Sequence, residues 1–226
     1  MCYSLIFQRE SSRHILTRWI LDFELSEEQK EIKRSVREFA ENEIRSHVME
    51  WDEAQHFPSE ILPKLAQLGL MGATFSADNG GAGLGQTQYV TILEELARVD
   101  ASVALIVSAH TSLCASHINL VGTEEQKRKF LVPLAHGEKL GCWSLTEPGS
   151  GSDASAILTT ARRDGDHWVL NGVKSFATNG HYADVIVVMA ATDKARGKHG
   201  TTAFIVEKET PGFRAGKKEN KLGLRA

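Results

Sequence analysis

The chain has 226 residues, of which 42% are hydrophobic and 24% are charged, as in ordinary folded domains rather than disordered segments. Its net charge of −3 provides no basic surface of the kind that binds nucleic acid. The cysteines Cys2, Cys114 and Cys142 form no C-x-x-C pair, which argues against a disulfide framework or a zinc site and fits a reducing compartment. The length allows one large or two small domains.

Residues 1–20 are basic and poor in acidic residues, since they carry Arg9, Arg13 and Arg18 but only Glu10. This composition is typical of a transit peptide. The alternative is that the segment is not part of the functional protein. No long apolar core precedes a small-residue cleavage site, so a secretory signal is less favoured.

Residues 25–137 predict one helix after another. Ser26 is followed three residues later by Gln29, a capping-box pattern that marks the start of a helix. Apolar residues then recur at helical spacing from Ile32 to Ile44. The remaining predicted helices are 58–68, 87–99, 101–122 and 123–137.

The most glycine-dense stretch, 77–85, allows two interpretations. A phosphate-binding loop would need a following G-K-[ST] and a preceding strand, and the sequence supplies neither. We therefore favour a flexible connection between helices.

The segment 101–122 contains no Asp, Glu, Lys or Arg, so a membrane span must be considered. Its many hydroxyl, imidazole and amide side chains favour a helix buried at the centre of a bundle instead, and we predict no membrane span. His110 and His117 lie seven residues apart and hence on one helix face. We expect buried histidines with hydrogen-bond partners rather than metal ligands.

Residues 138–226 predict short strands separated by turns, with Asn171-Gly172 as a tight hairpin turn. Short strands at this spacing favour a small barrel or sandwich. The predicted fold is α+β, with an N-terminal all-helical bundle at 22–137, a small antiparallel β-barrel domain at 138–226 and an extension at 1–21. No G-x-G-x-x-G follows a strand, which argues against a nicotinamide-binding fold. The predicted strands are 140–145, 168–170, 173–176, 185–191 and 201–206.

The stretch from Trp143 to Ala154 combines a proline, two glycines and several hydroxyls, which suits a loop close to a ligand or a plain surface turn. Its sequence T-E-P-G-S-G-S-D-A, preceded by an aromatic residue, resembles a signature of the acyl-CoA dehydrogenase family. The segment 171–180 resembles that family's second signature, and the two together are more specific than either alone. The resemblance covers Leu21 to Ala226 and is closest to short-chain or butyryl-CoA members.

This resemblance implies bound FAD and conversion of a short-chain acyl-CoA to a trans-2-enoyl-CoA. Phe176 would pack on the flavin ring, the Thr178 hydroxyl would reach flavin N5, and Ser152 would also contact the substrate's pantetheine. For Phe176 and Trp143 the alternative is an ordinary core aromatic. The implied cofactor-binding residues are Trp143, Ser144, Leu145, Thr146, Gly151, Ser152, Phe176, Ala177 and Thr178.

The family's catalytic base is a glutamate of a C-terminal helical domain that would follow Ala226. The resemblance therefore implies no catalytic residue in this chain, which would be an N-terminal fragment or truncated product, inactive alone. Glu147 is expected to be structural. The implied partners are an electron-transfer flavoprotein as acceptor and further copies of the full-length chain in a homo-oligomer.

Relatives often begin with Met followed by D-F-x-L-S-x-E-Q, and residues 22–29 match that pattern. We therefore expect Leu21 to be the true start and the protein to be cytoplasmic; a transit peptide would place it in the mitochondrial matrix. Two other functions stay open. One is an acyl-CoA oxidase or flavin monooxygenase relative, and the other is a non-catalytic acyl-CoA- and flavin-binding half that pairs with a separate chain.

Overall fold

The computed structural model describes residues 24–225, and for Lys198 only the backbone. The predicted extension 1–21, with the expected start at Leu21, lies outside the described residues. Helices fill the first part of the chain, as predicted. They are α1 Glu27–Glu43, α2 Val48–Ala54, α3 Leu62–Gln67, α4 Gln86–Val99, α5 Ala101–Val121 and α6, which is continuous through Glu124–Gln126, Lys127–Leu131 and Val132–Ala135.

Helix α1 starts at the predicted capping box. The Gln29 amide donates to Ser26 Oγ at 3.2 Å, and the Ser26 amide donates to Gln29 Oε1 at 2.9 Å. The helix then packs against α4, where Glu95 is buried and accepts two 2.8 Å hydrogen bonds from the Arg37 guanidinium. The guanidinium bonds lower the pKa of Glu95 although burial opposes them, so this carboxylate stays ionised.

The glycine-dense stretch connects two helices, as predicted, but hydrogen bonds fix its backbone. Four consecutive amides, from Gly81 to Leu84, donate to carbonyls of residues 72–76 at 2.8–3.1 Å. A side chain at Gly81 would place a Cβ 2.2 Å from the Phe75 carbonyl oxygen. These four amides are already used within the chain, so they are not free to bind a phosphate, which argues against the phosphate-loop interpretation.

Helix α5 is long and apolar enough, by length and composition alone, to cross a membrane. In its most apolar window, 61% of the helix is buried inside the protein, as expected of a core helix. Its middle, Ala109–Ala115, winds as a π-helix, with α-helical Ala101–Ser108 before it and Ser116–Val121 after it. The segment predicted as a central buried helix therefore forms one.

The two histidines of α5 have different surroundings. His110 is fully buried; its Nδ1 accepts a 2.9 Å hydrogen bond from the Gly141 amide, and its Nε2 lies 3.1 Å from the Leu134 carbonyl oxygen. The Nδ1 acceptor role requires the proton on Nε2. His117 is only half-buried, so the expectation of a buried ring holds for His110 alone. Within residues 24–225, no three His, Cys, Asp or Glu side chains are placed to hold a metal ion.

The second part of the chain forms one mixed sheet. Strand β4, whose apolar run is buried at both ends, pairs with β5 on one side and with β1 and the first residue of β2 on the other. The β1–β4 and β2–β4 pairs are parallel, and the β2–β3 and β4–β5 pairs are antiparallel. The strands are β1 Gly141–Ser144, β2 Thr160–Asp164, β3 His167–Asn171, β4 Val185–Ala191 and β5 Thr201–Glu207.

The predicted antiparallel barrel is wrong. In the described part of the chain, β3 pairs only with β2 and β5 only with β4, so the sheet stays open at both edges. Closure would require a second partner for each edge strand. Two of the pairings are parallel and join β4 to strands distant from it in sequence. Parallel strands need a long crossover connection, so local turn signals could not indicate these pairings.

The predicted hairpin at Asn171-Gly172 is also absent. Strand β3 ends at Asn171, and residues 172–177 form no strand. The hairpin instead joins β2 to β3, where Asp164 pairs with His167. A Cβ at Gly172 would lie 2.3 Å from Thr159 Oγ1, so this glycine is required by close packing rather than by a hairpin turn.

Gly141 is where β1 contacts helix α5. A Cβ at this position would lie 2.8 Å from the Sγ and 2.9 Å from the Cβ of Cys114. Cys114 is fully buried in the π-helical segment of α5, where side chains are closely packed. Helix α5 therefore cannot easily move away from β1 to make room for a larger side chain at position 141.

We expect Gly141→Ala to lower the free energy of unfolding by about 1–3 kcal/mol through overpacking. Gly216→Ala is the matched control, because nothing lies within 4 Å of a Cβ at Gly216. Urea denaturation followed by circular dichroism measures both. Equal midpoints for the two variants would contradict the tight contact.

Because His110 is buried, we expect the folded chain to lose stability as the pH falls. Burial lowers its pKa from 6.5 to about 4 in the folded chain, so between these values only the unfolded chain binds the proton. The free energy of unfolding should therefore fall as pH drops from 6.5 towards 4, by up to about 3 kcal/mol from this residue.

Urea denaturation across this pH range measures the slope of the free energy of unfolding against pH. His110→Gln should flatten it, whereas His167→Gln, at an exposed position, should not. Equal dependence of the free energy of unfolding on pH in the unaltered chain and in His110→Gln would refute the assignment of this loss to His110.

Candidate functional site

Residues from the two predicted motif segments line a single cavity of about 120 Å³. The first segment begins within β1 and continues beyond it, and the second begins at the end of β3. One side of helix α5 completes the lining. The segments are about thirty residues apart in sequence, so only the fold brings them together. The lining residues are Ala109, Leu113, Trp143, Leu145, Thr146, Ser175, Phe176 and Thr178.

The first wall begins at the end of strand β1. Trp143 is half-buried, and its ring packs against His117 with centroids 5.5 Å apart. Its Nε1 is buried and has no hydrogen-bond partner among the described residues. A buried donor without a partner is costly, so this indole N–H is an unusual feature of the wall. Leu145 and Thr146 continue this wall as the chain leaves the sheet.

The second wall includes Phe176, whose side chain is 72% exposed. Its φ of +56° lies in the left-handed region, which costs a non-glycine residue roughly 1–2 kcal/mol. This exposure does not fit the alternative of an ordinary core aromatic. The ring instead borders the cavity opening, in an unfavourable backbone conformation of the kind that often occurs at functional sites.

Hydrogen bonds connect the two walls of the cavity. The Ser175 amide donates to the Thr146 carbonyl at 2.7 Å, and Lys174 Nζ donates to the Leu145 carbonyl at 2.9 Å. Lys174 Nζ also lies 2.8 Å from Glu147 Oε1, so the expected structural role of Glu147 agrees with its contacts. Burial would raise the pKa of Glu147, but hydrogen bonds from Lys174, Thr159 and Leu158 outweigh it and lower the pKa to about 2.

Asn179 fixes the end of the second wall to the core. Its Nδ2 donates to the carbonyl oxygens of Ile106 in α5 and Gly141 in β1, both at 3.1 Å. Its φ of +69° is a left-handed conformation that Asn tolerates better than most residues. The turn after Thr178 is therefore bonded to the same helix and strand that carry the rest of the cavity.

Not every residue implied by the sequence lines this cavity. Ser144 is buried within β1, and Ala177 packs against the core shared with the helices. Gly151 and Ser152 lie in an exposed bend beyond the first wall. The structure brings together the remaining members of the implied set, which are Trp143, Leu145, Thr146, Phe176 and Thr178.

Three lining residues were not predicted. Ser175 lay inside the second motif but had no assigned role. Ala109 and Leu113 come from helix α5 and are four residues apart, a spacing that places them on one helix face. That spacing was available in the sequence. Nothing there indicated that this face of a buried helix would border the motif segments.

The cavity lining is largely apolar and carries a few hydroxyl groups. Aliphatic and aromatic side chains supply apolar contacts, and the hydroxyls of Thr146, Ser175 and Thr178 supply hydrogen-bonding groups. None of the side chains lining this cavity is Asp, Glu, His, Lys or Cys. The lining can therefore bind and orient a ring, but it offers no group to take up a substrate proton at neutral pH.

Two family models match the chain. One described as acyl-CoA dehydrogenase, N-terminal domain, matches residues 26–138, and one described as acyl-CoA dehydrogenase, middle domain, matches residues 142–226. Among curated proteins, the chain is 52% identical over 206 residues to a short-chain specific acyl-CoA dehydrogenase of Clostridium acetobutylicum. The match covers 91% of this chain and 54% of that relative, so the chain spans about half the relative's length.

Solved structures of acyl-CoA dehydrogenases are also similar to the chain, again over about half of their length. Butyryl-CoA dehydrogenase from Megasphaera elsdenii matches with a TM-score of 0.86 and 45% identity, over 91% of this chain and 55% of that one. Glutaryl-CoA dehydrogenase from Mycobacterium smegmatis in complex with FADH2 matches with a TM-score of 0.84 and 38% identity, over 89% and 51%. A chain of a structure described as the electron transferring flavoprotein of Acidaminococcus fermentans matches with a TM-score of 0.88 and 46% identity, over 91% and 54%.

The exposure of Phe176 leads to a stability prediction. Phe176→Ala should change the free energy of unfolding by less than about 1 kcal/mol, because little apolar area is buried there. Phe130→Ala is the contrast, since Phe130 is 7% exposed within a core cluster and its loss should cost about 3–5 kcal/mol. Urea denaturation measures both variants. A comparable loss in the free energy of unfolding for both would show that Phe176 is packed like a core residue.

Proposed function

The chain belongs to the acyl-CoA dehydrogenase family, and from this membership we propose that its cavity holds the ring of FAD. Bound there, FAD would accept the hydride from the β-carbon of an acyl-CoA, giving a trans-2-enoyl-CoA. A short acyl chain fits the relative described as short-chain specific and the similar butyryl-CoA dehydrogenase. Bound FADH2 in a similar glutaryl-CoA dehydrogenase supports this choice of cofactor.

One observation carries the proposal: Thr146 and Thr178, from separate motif segments, line the same cavity. Unrelated positions for these two hydroxyls would leave no common groove for a ring. Trp143 contributes an aromatic side chain to the same lining. The cavity has apolar walls and a few polar groups, which is the usual character of a cofactor site.

We assign five of the implied residues a role in binding. Leu145 and Thr146 would hold the polar end of the ring, and Thr178 would donate a hydrogen bond to its central nitrogen edge. Phe176, which is exposed at the opening, would cover the ring with its aromatic face. Ser152 lies in an exposed bend, which leaves it accessible to the pantetheine of the substrate.

Proton removal from the α-carbon requires a base that the cavity lining does not contain. We propose that this base comes from outside these 226 residues, so the chain by itself binds the cofactor but does not turn over. An electron-transfer flavoprotein as electron acceptor, assembly into a homo-oligomer and a cytoplasmic location belong to the same proposal. A mitochondrial location remains the alternative.

The lack of an acid or base in the lining also favours one second candidate. The chain would then be a non-catalytic flavin- and acyl-CoA-binding half that pairs with a separate polypeptide. Mixing the chain with a polypeptide that carries the missing base separates the two candidates, since only the enzyme half would gain turnover of butyryl-CoA.

The purified chain should bind FAD, as measured by equilibrium dialysis and visible absorption, and should show no steady turnover of butyryl-CoA. Thr178→Val removes one hydrogen bond to the ring, worth about 1 kcal/mol, so FAD binding should weaken roughly fivefold. Thr210→Val changes an exposed threonine outside the cavity and should leave FAD binding unchanged. Equal weakening by both variants, or steady turnover by the unaltered chain, would contradict the proposal.

A further inference from the structure

Glu147 and Lys174 form a buried ion pair next to the cavity without lining it. Lys174 Nζ lies 2.8 Å from Glu147 Oε1, and the two side chains are 11% and 4% exposed. Neither residue is part of the cavity lining. Removing two charges from water is costly, and the attraction between them offsets this only when the remaining hydrogen-bonding groups are satisfied.

The pair meets that requirement by bonding three separate segments. The amides of Leu158 and Thr159, just before β2, donate to the Glu147 carboxylate at 2.6 and 2.9 Å. Lys174 Nζ donates to the Leu145 carbonyl at 2.9 Å as well as to the carboxylate. The ion pair therefore joins the loop after β1, the start of β2 and the segment after β3.

Each member of the pair is adjacent in sequence to residues that line one wall. Glu147 directly follows Leu145 and Thr146, and Lys174 directly precedes Ser175 and Phe176. Residues 172–177 form neither helix nor strand, so the regular backbone hydrogen bonds of a helix or a sheet do not hold them in place. Among the described residues, the hydrogen bonds that attach them to the first wall are the lysine contacts and the 2.7 Å bond from the Ser175 amide to the Thr146 carbonyl.

We propose that Glu147 and Lys174 are positioning residues that set the separation of the two walls, and hence the fit of the flavin ring. This inference rests on the proposed function. The amides of Leu158 and Thr159, just before β2, anchor the carboxylate, and the Lys174 ammonium brings the second wall to it. Without the pair, Ser175 and Phe176 would lose their fixed distance from Thr146, although no atom that contacts the ring would have changed.

The test uses the full 226-residue chain with four changes: Lys174→Met, Glu147→Gln, the double variant Lys174→Met/Glu147→Gln, and Lys174→Arg. The double variant removes both charges, so it leaves no unpaired buried charge that could prevent folding. Arg162→Met is the matched control, because Arg162 pairs with Asp164 at 3.7 Å on the exposed β2–β3 hairpin. Far-UV circular dichroism confirms that each variant is folded.

Two measurements are made on every folded variant. The first is hydrogen exchange at the Ser175 amide without flavin, which should become at least tenfold faster in Lys174→Met and in the double variant. The second is FAD affinity with the visible spectrum of the bound flavin. The affinity should fall at least tenfold with a changed band shape, and Lys174→Arg should restore most of it. Arg162→Met should match the unaltered chain in both measurements.

Unchanged exchange at Ser175 in the folded double variant would overturn the inference, whatever happens to FAD. Faster exchange with unchanged FAD affinity and spectrum would also overturn it, since the pair would then hold the loops without affecting the ring. Absence of FAD binding by the unaltered chain would instead overturn the proposed function. In that case, the exchange at Ser175 alone decides whether the pair joins the two segments.

Discussion

The contact between helix α5 and strand β1 at Gly141 is the constraint on which the arrangement depends. The absent side chain lets Cys114 pack directly against the strand, and both polar groups of Gly141 find partners. Its amide donates to His110, and its carbonyl accepts from Asn179. The helix, the first strand and the turn after the second motif therefore converge on one residue. Both α5 and β1 contribute residues to the lining of the cavity, so this contact fixes two parts of that lining relative to each other.

Much of the secondary structure followed from local sequence patterns. The capping box at Ser26 and the β-branched run of β4 correctly indicated a helix start and a buried strand. Local patterns failed where pairing was decided by distant segments. The sequence around Asn171 and Gly172 has the composition of a hairpin turn. The chain there turns away because Lys174 and Ser175 bond to the loop after β1 rather than to β3. The open, mixed sheet was missed for the same reason, since parallel partners lie far apart in sequence.

The candidate site was predictable to the extent that its residues fall inside recognisable motifs. Trp143, Leu145, Thr146, Phe176 and Thr178 were all indicated by sequence, and all border one cavity. The contribution of Ala109 and Leu113 was not, because a helix buried on most sides gives no signal about which neighbour each face meets. The left-handed backbone of Phe176 was equally invisible, since no glycine or asparagine marks that position.

The π-helical winding of Ala109–Ala115 also determines how α5 divides its side chains between its neighbours. Ala109 and Leu113 face the cavity, whereas His110 and Cys114 face β1 and the core behind it. The i→i+5 hydrogen bonds of a π-helix close over one residue more than those of an α-helix. Deleting one residue within this segment would therefore favour ordinary α-helical winding, and the side chains before and after it would keep nearly the same neighbours. The wide turn thus supplies one additional position at which α5 can present a side chain to the cavity or to the sheet.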